Sequence, residues 1–334
     1  MDHANFLEQC KKASSLVLTA PAGADGDSVG TQCAFYEIFK SLFPEKEILI
    51  VNEDPCPHRY QFLPFTEYFK TSEDLSKEGW AQKEHNDLWI CVDGGPNRLG
   101  DKTTVFWKNA KARGQVDHHK VSQSFELDFK LNNPDAASTT EIVYEFCQHH
   151  RIALTSTLAQ SLYVGLIYDT GLFKHSNTNP KVMRIGAHLL ESGFNHTRAA
   201  EKVLMIRTES NIKLAQKILS HMHFEQEGRY VWATLTQKDF QDAGAKLEDR
   251  EGLIDLLFLT ENCEVASLSS EVEKDKWKVS FRARRLDVAS VAKSLDKDGG
   301  GHRLAAGCSI SGNEAALSAA HSAVKALIEK AEWI

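Results

Sequence analysis

The chain lacks a long hydrophobic run: nowhere do its apolar residues approach the ~18 in succession that a membrane-spanning helix requires. Its opening, Met1-Asp2-His3-Ala4-Asn5, has neither the basic stretch nor the apolar core of a secretory leader. Cysteine is sparse and scattered. The seven (Cys10, Cys33, Cys56, Cys91, Cys147, Cys263 and Cys308) include no Cys-x-x-Cys pair and are odd in number, which fits reduced thiols in a cytoplasmic protein best. Basic excess is absent too. Lys and Arg number 39 against 46 Asp and Glu, a net charge of −7, whereas proteins that grip long nucleic acid carry a basic stripe, because phosphate neutralisation dominates that affinity. A short anionic ligand held by a few local cations stays compatible. No internal repeat and no low-complexity segment is present.

What is present has the balance of a globular chain, and 334 residues are enough for two domains, each with its own core. Apolar and amphipathic segments alternate through the first half. Leu16-Val17-Leu18-Thr19, Ile48-Leu49-Ile50-Val51 and Leu88-Trp89-Ile90-Cys91-Val92 read as strands. Gly30 to Leu42 reads as a helix with Ala34, Phe35, Ile38 and Phe39 on one face, and Ser138 to Gln148 as another, with Ser138 or Thr139 as its cap. The alternation predicts an α/β fold with a doubly wound, mostly parallel sheet. Ala199 to His223 has a helical pattern and would connect to a smaller α/β unit. There Tyr230 to Leu235, Glu264 to Leu268 and Trp277 to Arg282 read as strands, and Asp287 to Leu295 and Glu314 to Glu332 as helices. The expected division is 1–190, a helical connector 191–225, and 226–334.

Five acidic or imidazole side chains stand at the ends of what read as buried strands. They are Asp25 and Asp27, Asp93 after Ile90-Cys91-Val92, His118 after Val116-Asp117, and Asp169 after Leu166-Ile167-Tyr168. A carboxylate just past an apolar strand is costly unless something cationic meets it, and ligands of such sheets bind at the carboxyl edge. Oxygen and imidazole donors without thiolates suit Mn²⁺ or Mg²⁺. The pattern predicts metal-assisted hydrolysis of a phosphate ester. Each motif alone has a plainer reading. Asp-Gly-Asp is a common turn before a helix, paired histidines are often a solvated surface pair (the expectation for His149-His150), and Gly299-Gly300-Gly301 alone is a flexible hinge.

Taken in order, Asp25-Gly26-Asp27-Ser28-Val29-Gly30, Asp93, Asp117-His118-His119 and Asp169-Thr170-Gly171 resemble the motifs of the DHH phosphoesterases. Gly299-Gly300-Gly301-His302-Arg303-Leu304-Ala305-Ala306-Gly307 resembles the glycine-rich signature of the DHHA1 domain, and Val279-Ser280-Phe281-Arg282 the Arg-bearing strand before it. The resemblance covers nearly the whole chain and is closest to the nanoRNase/pAp-phosphatase type. It implies two divalent ions, Mn²⁺ foremost with Mg²⁺ or Co²⁺ as substitutes, ~3.5–4 Å apart as in other two-metal hydrolases. Asp25, Asp27, Asp93, His118 and Asp169 would be their ligands, Asp93 shared. Asp117 and His119 would be catalytic, the carboxylate orienting an imidazole and His119 giving a proton to the leaving oxygen. Arg282, Gly300, Gly301 and His302 would hold a phosphate of the substrate, in a second domain facing the first across a cleft.

The implied substrates are short oligoribonucleotides and linear dinucleotides such as pGpG or pApA, or pAp, cleaved to mononucleotides. Long nucleic acid and membrane are not expected partners, and a homodimer is left open. One position departs from the resemblance: the family's imidazole four residues before the first Asp is here Pro21, which offers no ligand atom. Competing readings are a pyro- or polyphosphatase sharing the metal lobe, a RecJ-like exonuclease on long DNA, and a nucleotide sensor that binds without cleaving.

Overall fold

The structure, a computed structural model, describes residues 2–80, 87–120 and 125–332. Two compact units divide the chain, the first ending at Ile206 and the second beginning at Arg207.

In the first unit six strands, β1 (Ser15–Thr19), β2 (Glu47–Asn52), β3 (Phe69–Thr71), β4 (Asp87–Val92), β5 (Ala112–Asp117) and β6 (Phe129–Asn132), form one sheet in the order β3-β2-β1-β4-β5-β6. Every pairing is parallel. Parallel neighbours need crossover connections, supplied by α2 (Gly26–Leu42) after β1, α3 (Ser72–Lys77) after β3 and α4 (Asp101–Asn109) after β4; α1 (His3–Lys12) precedes the sheet. Four more helices follow β6: α5 (Thr139–His150), α6 (Ser156–Asp169), α7 (Pro180–Leu190) and α8 (His196–Ala200). Strand order reverses between β1 and β4, the switch point at which open α/β sheets bind ligands.

Helices cover both faces, which is why β1, β2 and β4 read as apolar runs. Leu16 and Leu18 of β1 and Ile90 and Val92 of β4 pack with Phe35 and Phe39 of α2 and Phe146 of α5. Val17, Trp89 and Cys91 face the other way, toward Leu75 of α3 and Trp107 of α4. Full burial of side chains this size contributes about 1.5–3 kcal/mol each.

One expected strand is a helix. The run ending at Asp169 is the last part of α6, fourteen residues capped by Thr155, whose side chain accepts from the Leu158 N–H. Leu158, Leu162, Val164, Leu166 and Ile167 are all buried, so no polar face marks the helical period. Asp169 therefore reaches the site from a helix C-terminus.

The second unit holds β7 (His223–Glu225), β8 (Tyr230–Leu235), β9 (Val265–Glu273), β10 (Lys276–Ala283), β11 (Gly300–His302) and β12 (Ala305–Ser311), in the order β11-β12-β10-β9-β8-β7. Only β8 and β9 pair in parallel. On one face α12 (Val288–Leu295) and α13 (Ser318–Glu329) cover Val279 and Phe281. On the other, α9 (Glu209–Ser220), α10 (Gln237–Ala243) and α11 (Ile254–Phe258) cover Val231, Ala233, Ala266 and Leu268. That second face continues over β10, β12 and β11 with Ser280, Arg282, Ala305 and Gly307, all half-buried, and His302, exposed. Ala199 to His223 is not one helix: α8 ends at Ala200, a wide turn spans Glu201–Met205, and Thr208 starts α9 by capping the Asn211 N–H.

Candidate metal centre

Three loops leave the carboxyl ends of β1, β4 and β5 around the switch point. In the first, Asp25 caps α2, accepting from the N–H groups of Asp27 (3.0 Å) and Ser28 (3.1 Å). The plain turn role expected of this motif thus falls on Asp25. Asp27, in the first turn, aims its carboxylate at the N-terminus of α5. Its Oδ2 accepts from Thr139 N (2.6 Å) and its Oδ1 from Thr140 N (3.0 Å), where the helix dipole favours negative charge. Ser138 caps that helix, accepting from Glu141 N at 3.1 Å. The approach needs Gly165 on α6, since a Cβ there would collide with Asp27 Oδ1 and Thr140.

Asp93 is the first residue past β4 and takes φ +58°, a left-handed conformation that Asp tolerates better than most residues. Its own N–H donates to Val116 O at 2.9 Å. Ser28 Oγ donates to its Oδ2 at 2.6 Å and Thr139 Oγ1 to its Oδ1 at 3.2 Å.

Past β5, His118 places Nδ1 3.3 Å from Ala136 O. A carbonyl only accepts, so in the neutral ring Nδ1 holds the proton and the Nε2 lone pair is left as a ligand. That Nε2 lies 3.1 Å from Asp169 Oδ2 and 3.7 Å from Asp93 Oδ1. Asp117 orients His119 rather than His118: its Oδ1 accepts from His119 N (3.0 Å) and stands 2.7 Å from His119 Nδ1. Gln115 Nε2 donates to Asp117 Oδ2 (3.1 Å) and Gly94 O (2.8 Å), tying this pair to the Asp93 turn.

Donor atoms of Asp27, Asp93, His118 and Asp169 all lie within 4.8 Å of one another, and Asp93, His118 and His119 form an overlapping group. Asp25 belongs to neither group, although its charge and that of Asp93 repel. Buried Pro21 stands beside them: a Cβ on Gly94 would lie 2.7 Å from Pro21 Cγ, so the ring rests on the turn that carries Asp93 and offers no donor.

The electrostatics are those of a site short of positive charge. Burial, then the Asp93 charge, pushes Asp25 up to about 7. Burial and Asp169 push Asp27 up to about 6. Burial also raises Asp169 to about 6, against the pull of His118, and raises Asp93, with Asp27 adding to it. Burial alone would lower His118, yet the Asp169 hydrogen bond and the neighbouring carboxylates lift it to about 10. Burial lowers His119 too, yet the Asp117 hydrogen bond and the Asp93 and Asp117 charges together leave it raised. Asp169 Oδ2 is buried, with His118 Nε2 as its neighbour at 3.1 Å. A divalent cation fits this donor set, because it would meet the repelling carboxylates together.

In the second unit, register puts Arg282, Ala305 and His302 in one row across β10, β12 and β11, with Ser280, Gly307 and Gly300 in the next. Paired residues of antiparallel strands share a face, so an arginine and a histidine flank a floor of Ala and Gly. The glycine run is the outer strand rather than a loop. Gly301 has φ +139°, and a Cβ there would lie 2.5 Å from Ala305 O. Arg284 and Arg285 serve structure: Arg284 donates to Cys263 O (2.7 Å) and Arg285 pairs with Glu264 (3.1 Å). His150 lies 3.1 Å from His3 O and His149 stacks on the His3 ring, so this pair ties α1 to α5.

The profile of the DHH family, N-terminal domain, matches residues 16–166, and that of the DHHA1 domain matches residues 228–330. The chain belongs to the DHH–DHHA1 phosphoesterases. As such it is a hydrolase of phosphate esters, and its family uses divalent metal ions. It is 29% identical to the bifunctional oligoribonuclease and PAP phosphatase NrnA of Thermus thermophilus over 86% of this chain and 82% of that one. To the protein of the same name from Bacillus subtilis it is 24% identical, with 89% of each covered. A crystal structure of an exopolyphosphatase-related protein from Bacteroides fragilis superposes with TM-score 0.87 at 20% identity, over 97% of this chain and 95% of that one. That likeness carries the fold. Among the described residues no helix is long and apolar enough to cross a membrane.

Sequence reading missed Ser28, Gln115, Thr139 and Thr140. Two signals were there: a hydroxyl directly after Asp27, and the run Ser138-Thr139-Thr140 at a helix start.

Proposed function

We propose that this DHH–DHHA1 protein is a Mn²⁺-dependent phosphodiesterase that hydrolyses short oligoribonucleotides and linear dinucleotides such as pGpG or pApA to mononucleotides, with pAp as a further substrate. The observation that carries the reading is the four-donor group of Asp27, Asp93, His118 and Asp169 at the switch point, with His119 beside it, in a chain similar along most of its length to NrnA proteins. The net charge of −7 supports short rather than long substrates.

Asp27, Asp93, His118 and Asp169 would hold one ion, and Asp25 with Asp93 a second. Bound there, divalent ions supply Lewis acidity and charge neutralisation at the phosphoryl group. The chain's own residues do the rest. Asp117 keeps the His119 proton on Nδ1 and turns Nε2 outward, where the imidazolium gives its proton to the departing oxygen. α5 fixes Asp27 by two N–H groups, so the carboxylate need not reorganise during reaction. Arg282 and His302 bind an anionic group of the substrate in the second unit, Arg through its planar fork.

Turnover of di- to pentaribonucleotides, pGpG, pApA, pAp, pyrophosphate, polyphosphate and a long RNA, each with Mn²⁺, Mg²⁺ or Co²⁺, tests this. Release of mononucleotides from the short RNAs fastest with Mn²⁺ is expected. Preference for polyphosphate or long RNA, or binding of dinucleotides without turnover, overturns the assignment.

A further inference from the structure

Two hydroxyls grip the most central carboxylate of the site. Asp93 is 4% exposed, and each of its oxygens accepts one hydroxyl: Oδ2 from Ser28 at 2.6 Å, Oδ1 from Thr139 at 3.2 Å. Ser28 stands in the first turn of α2 and Thr139 opens α5, so the carboxylate is held from two helices at once. Thr139 does more, since its backbone N–H also donates to Asp27 Oδ2 at 2.6 Å. One residue therefore touches two carboxylates that otherwise repel.

We propose that Thr139 and Ser28 are positioning residues that set the cation affinity of the centre, by holding Asp93 and Asp27 at a fixed separation before an ion arrives. The inference rests on the metal reading of this site.

The residue type is what the task demands. A lysine or arginine would neutralise Asp93 and compete with the ion, whereas a hydroxyl orients a carboxylate and leaves its charge intact. Each oxygen has a further lone pair for a ligand bond. A hydroxyl bond of 2.6 Å to a carboxylate is charge-assisted and directional. Asp93 also has a fixed backbone, in the left-handed region with its N–H on Val116 O. Side-chain rotation is the freedom left, and the two hydroxyls remove it. Without them the ion would have to order Asp93 itself, at an entropic cost subtracted from its binding.

The test is titration calorimetry of the full-length, metal-stripped protein with Mn²⁺, beside a circular-dichroism check of folding. Thr139→Val removes the hydroxyl and keeps the N–H to Asp27; it should weaken Mn²⁺ binding about 10–100-fold, the usual effect of losing a group that orients a ligand. Thr139→Ser should bind like the parent. Ser28→Ala should weaken binding in the same range, and it decides the matter if Thr139→Val does not fold. In each weakened variant activity should return as free Mn²⁺ is raised, which loss of a catalytic group would not allow. Variants that bind Mn²⁺ as tightly as the parent, whatever their activity, overturn the proposal. So does a parent that binds no divalent ion. Failure to cleave short RNA leaves the affinity comparison intact, so the substrate reading can fall separately.

Discussion

The two sheets of this protein carry their chemistry in opposite places. The first is parallel and covered on both faces, so no mid-strand position can show a polar group to a ligand. Its candidate groups stand past the ends of β1, β4 and β5 and at the termini of α2, α5 and α6. They are mostly acidic, buried or half-buried, and their carboxylates repel one another. The second sheet is mixed, and beyond its helices one face carries residues that are half-buried or, at His302, exposed. Its candidates Arg282 and His302 stand within strands, beside water, over a floor of small residues. Buried acids call for a cation and a rigid frame; an arginine on an open floor calls for an anion and tolerates water around it. If that contrast is right, damage to the first unit should abolish chemistry on every substrate, and damage to the second should discriminate among substrates.

The largest effect should come from the first unit. Asp93→Asn keeps the shape and removes the charge shared by both proposed ion positions. A fall of at least ~10³ in rate is expected, on the scale of losing a principal electrostatic group, for dinucleotides and simple phosphodiesters alike, with the circular-dichroism spectrum unchanged. Near-normal turnover by this variant would remove the metal assignment.

Arg282→Ala probes the other half of the contrast. A charged hydrogen bond contributes about 1.5–3 kcal/mol, so kcat/KM for a dinucleotide should drop on the order of 10–100-fold. Hydrolysis of bis(p-nitrophenyl) phosphate, which carries no second phosphate, should hardly change, because a contact remote from the reacting phosphorus affects only substrates that reach it. Equal losses on both substrates would place Arg282 in the chemistry or in folding.

How much of this the sequence revealed follows the same division. β1, β2 and β4 were legible because burial on both faces makes them short unbroken apolar runs. Burial of the same kind hid α6, where an all-apolar helix shows no period and Asp169 was assigned to a strand end. β3, of three residues, and β6, with Lys130 exposed, carry too little pattern to read. In the site, the carboxylates and His118 announced themselves by chemistry at strand ends. Their partners did not. Ser28, Gln115 and Thr139 are ordinary residues whose role appears only when α2, β5 and α5 meet. The glycine run stood out in the sequence, but its edge-strand geometry depends on pairing with Ala305 to Gly307.

Pro21 sharpens the comparison within the first unit. One proposed ion position would have four protein donors, whereas the Asp25 side has a proline ring against Gly94 where the resemblance leads one to expect an imidazole. Fewer ligands should mean weaker binding of that second ion. Pro21→His, if the loop accepts the freer φ, should lower the free Mn²⁺ needed for half-maximal activity on the order of tenfold. Calorimetry should show the second site tighten while the first stays put. A natural protein that already binds two ions tightly, with no change on substitution, would mean that another donor completes the second site; His119, grouped with Asp93, is the candidate.

The smallest effect separates the units by stability. In the metal-free first unit Asp25 titrates at about 7, and Asp27 and Asp169 at about 6, against an ordinary 3.8. The native state thus keeps protons that the unfolded chain has released. The stability these groups contribute is full below about pH 3.8 and is lost as pH rises to 6–7. His118 continues the trend: with a folded value of about 10 against 6.5, its contribution is full below 6.5 and is lost as pH climbs toward 10. Every sign agrees, so the metal-free first unit should weaken from mildly acidic to basic pH. A divalent ion binds the deprotonated form and should reverse this. Thermal unfolding in chelator and in Mn²⁺, at pH 5.5 and pH 8, measures it. The Mn²⁺-induced rise should be greater at pH 8 by several degrees, given about 2–4 °C per kcal/mol for a unit of this size. The transition of the second unit, which has no such carboxylate group among its described residues, should not respond to Mn²⁺ at either pH. Equal shifts at both pH values, or a metal response in the second unit, would mean that the buried acids are not where the cation acts.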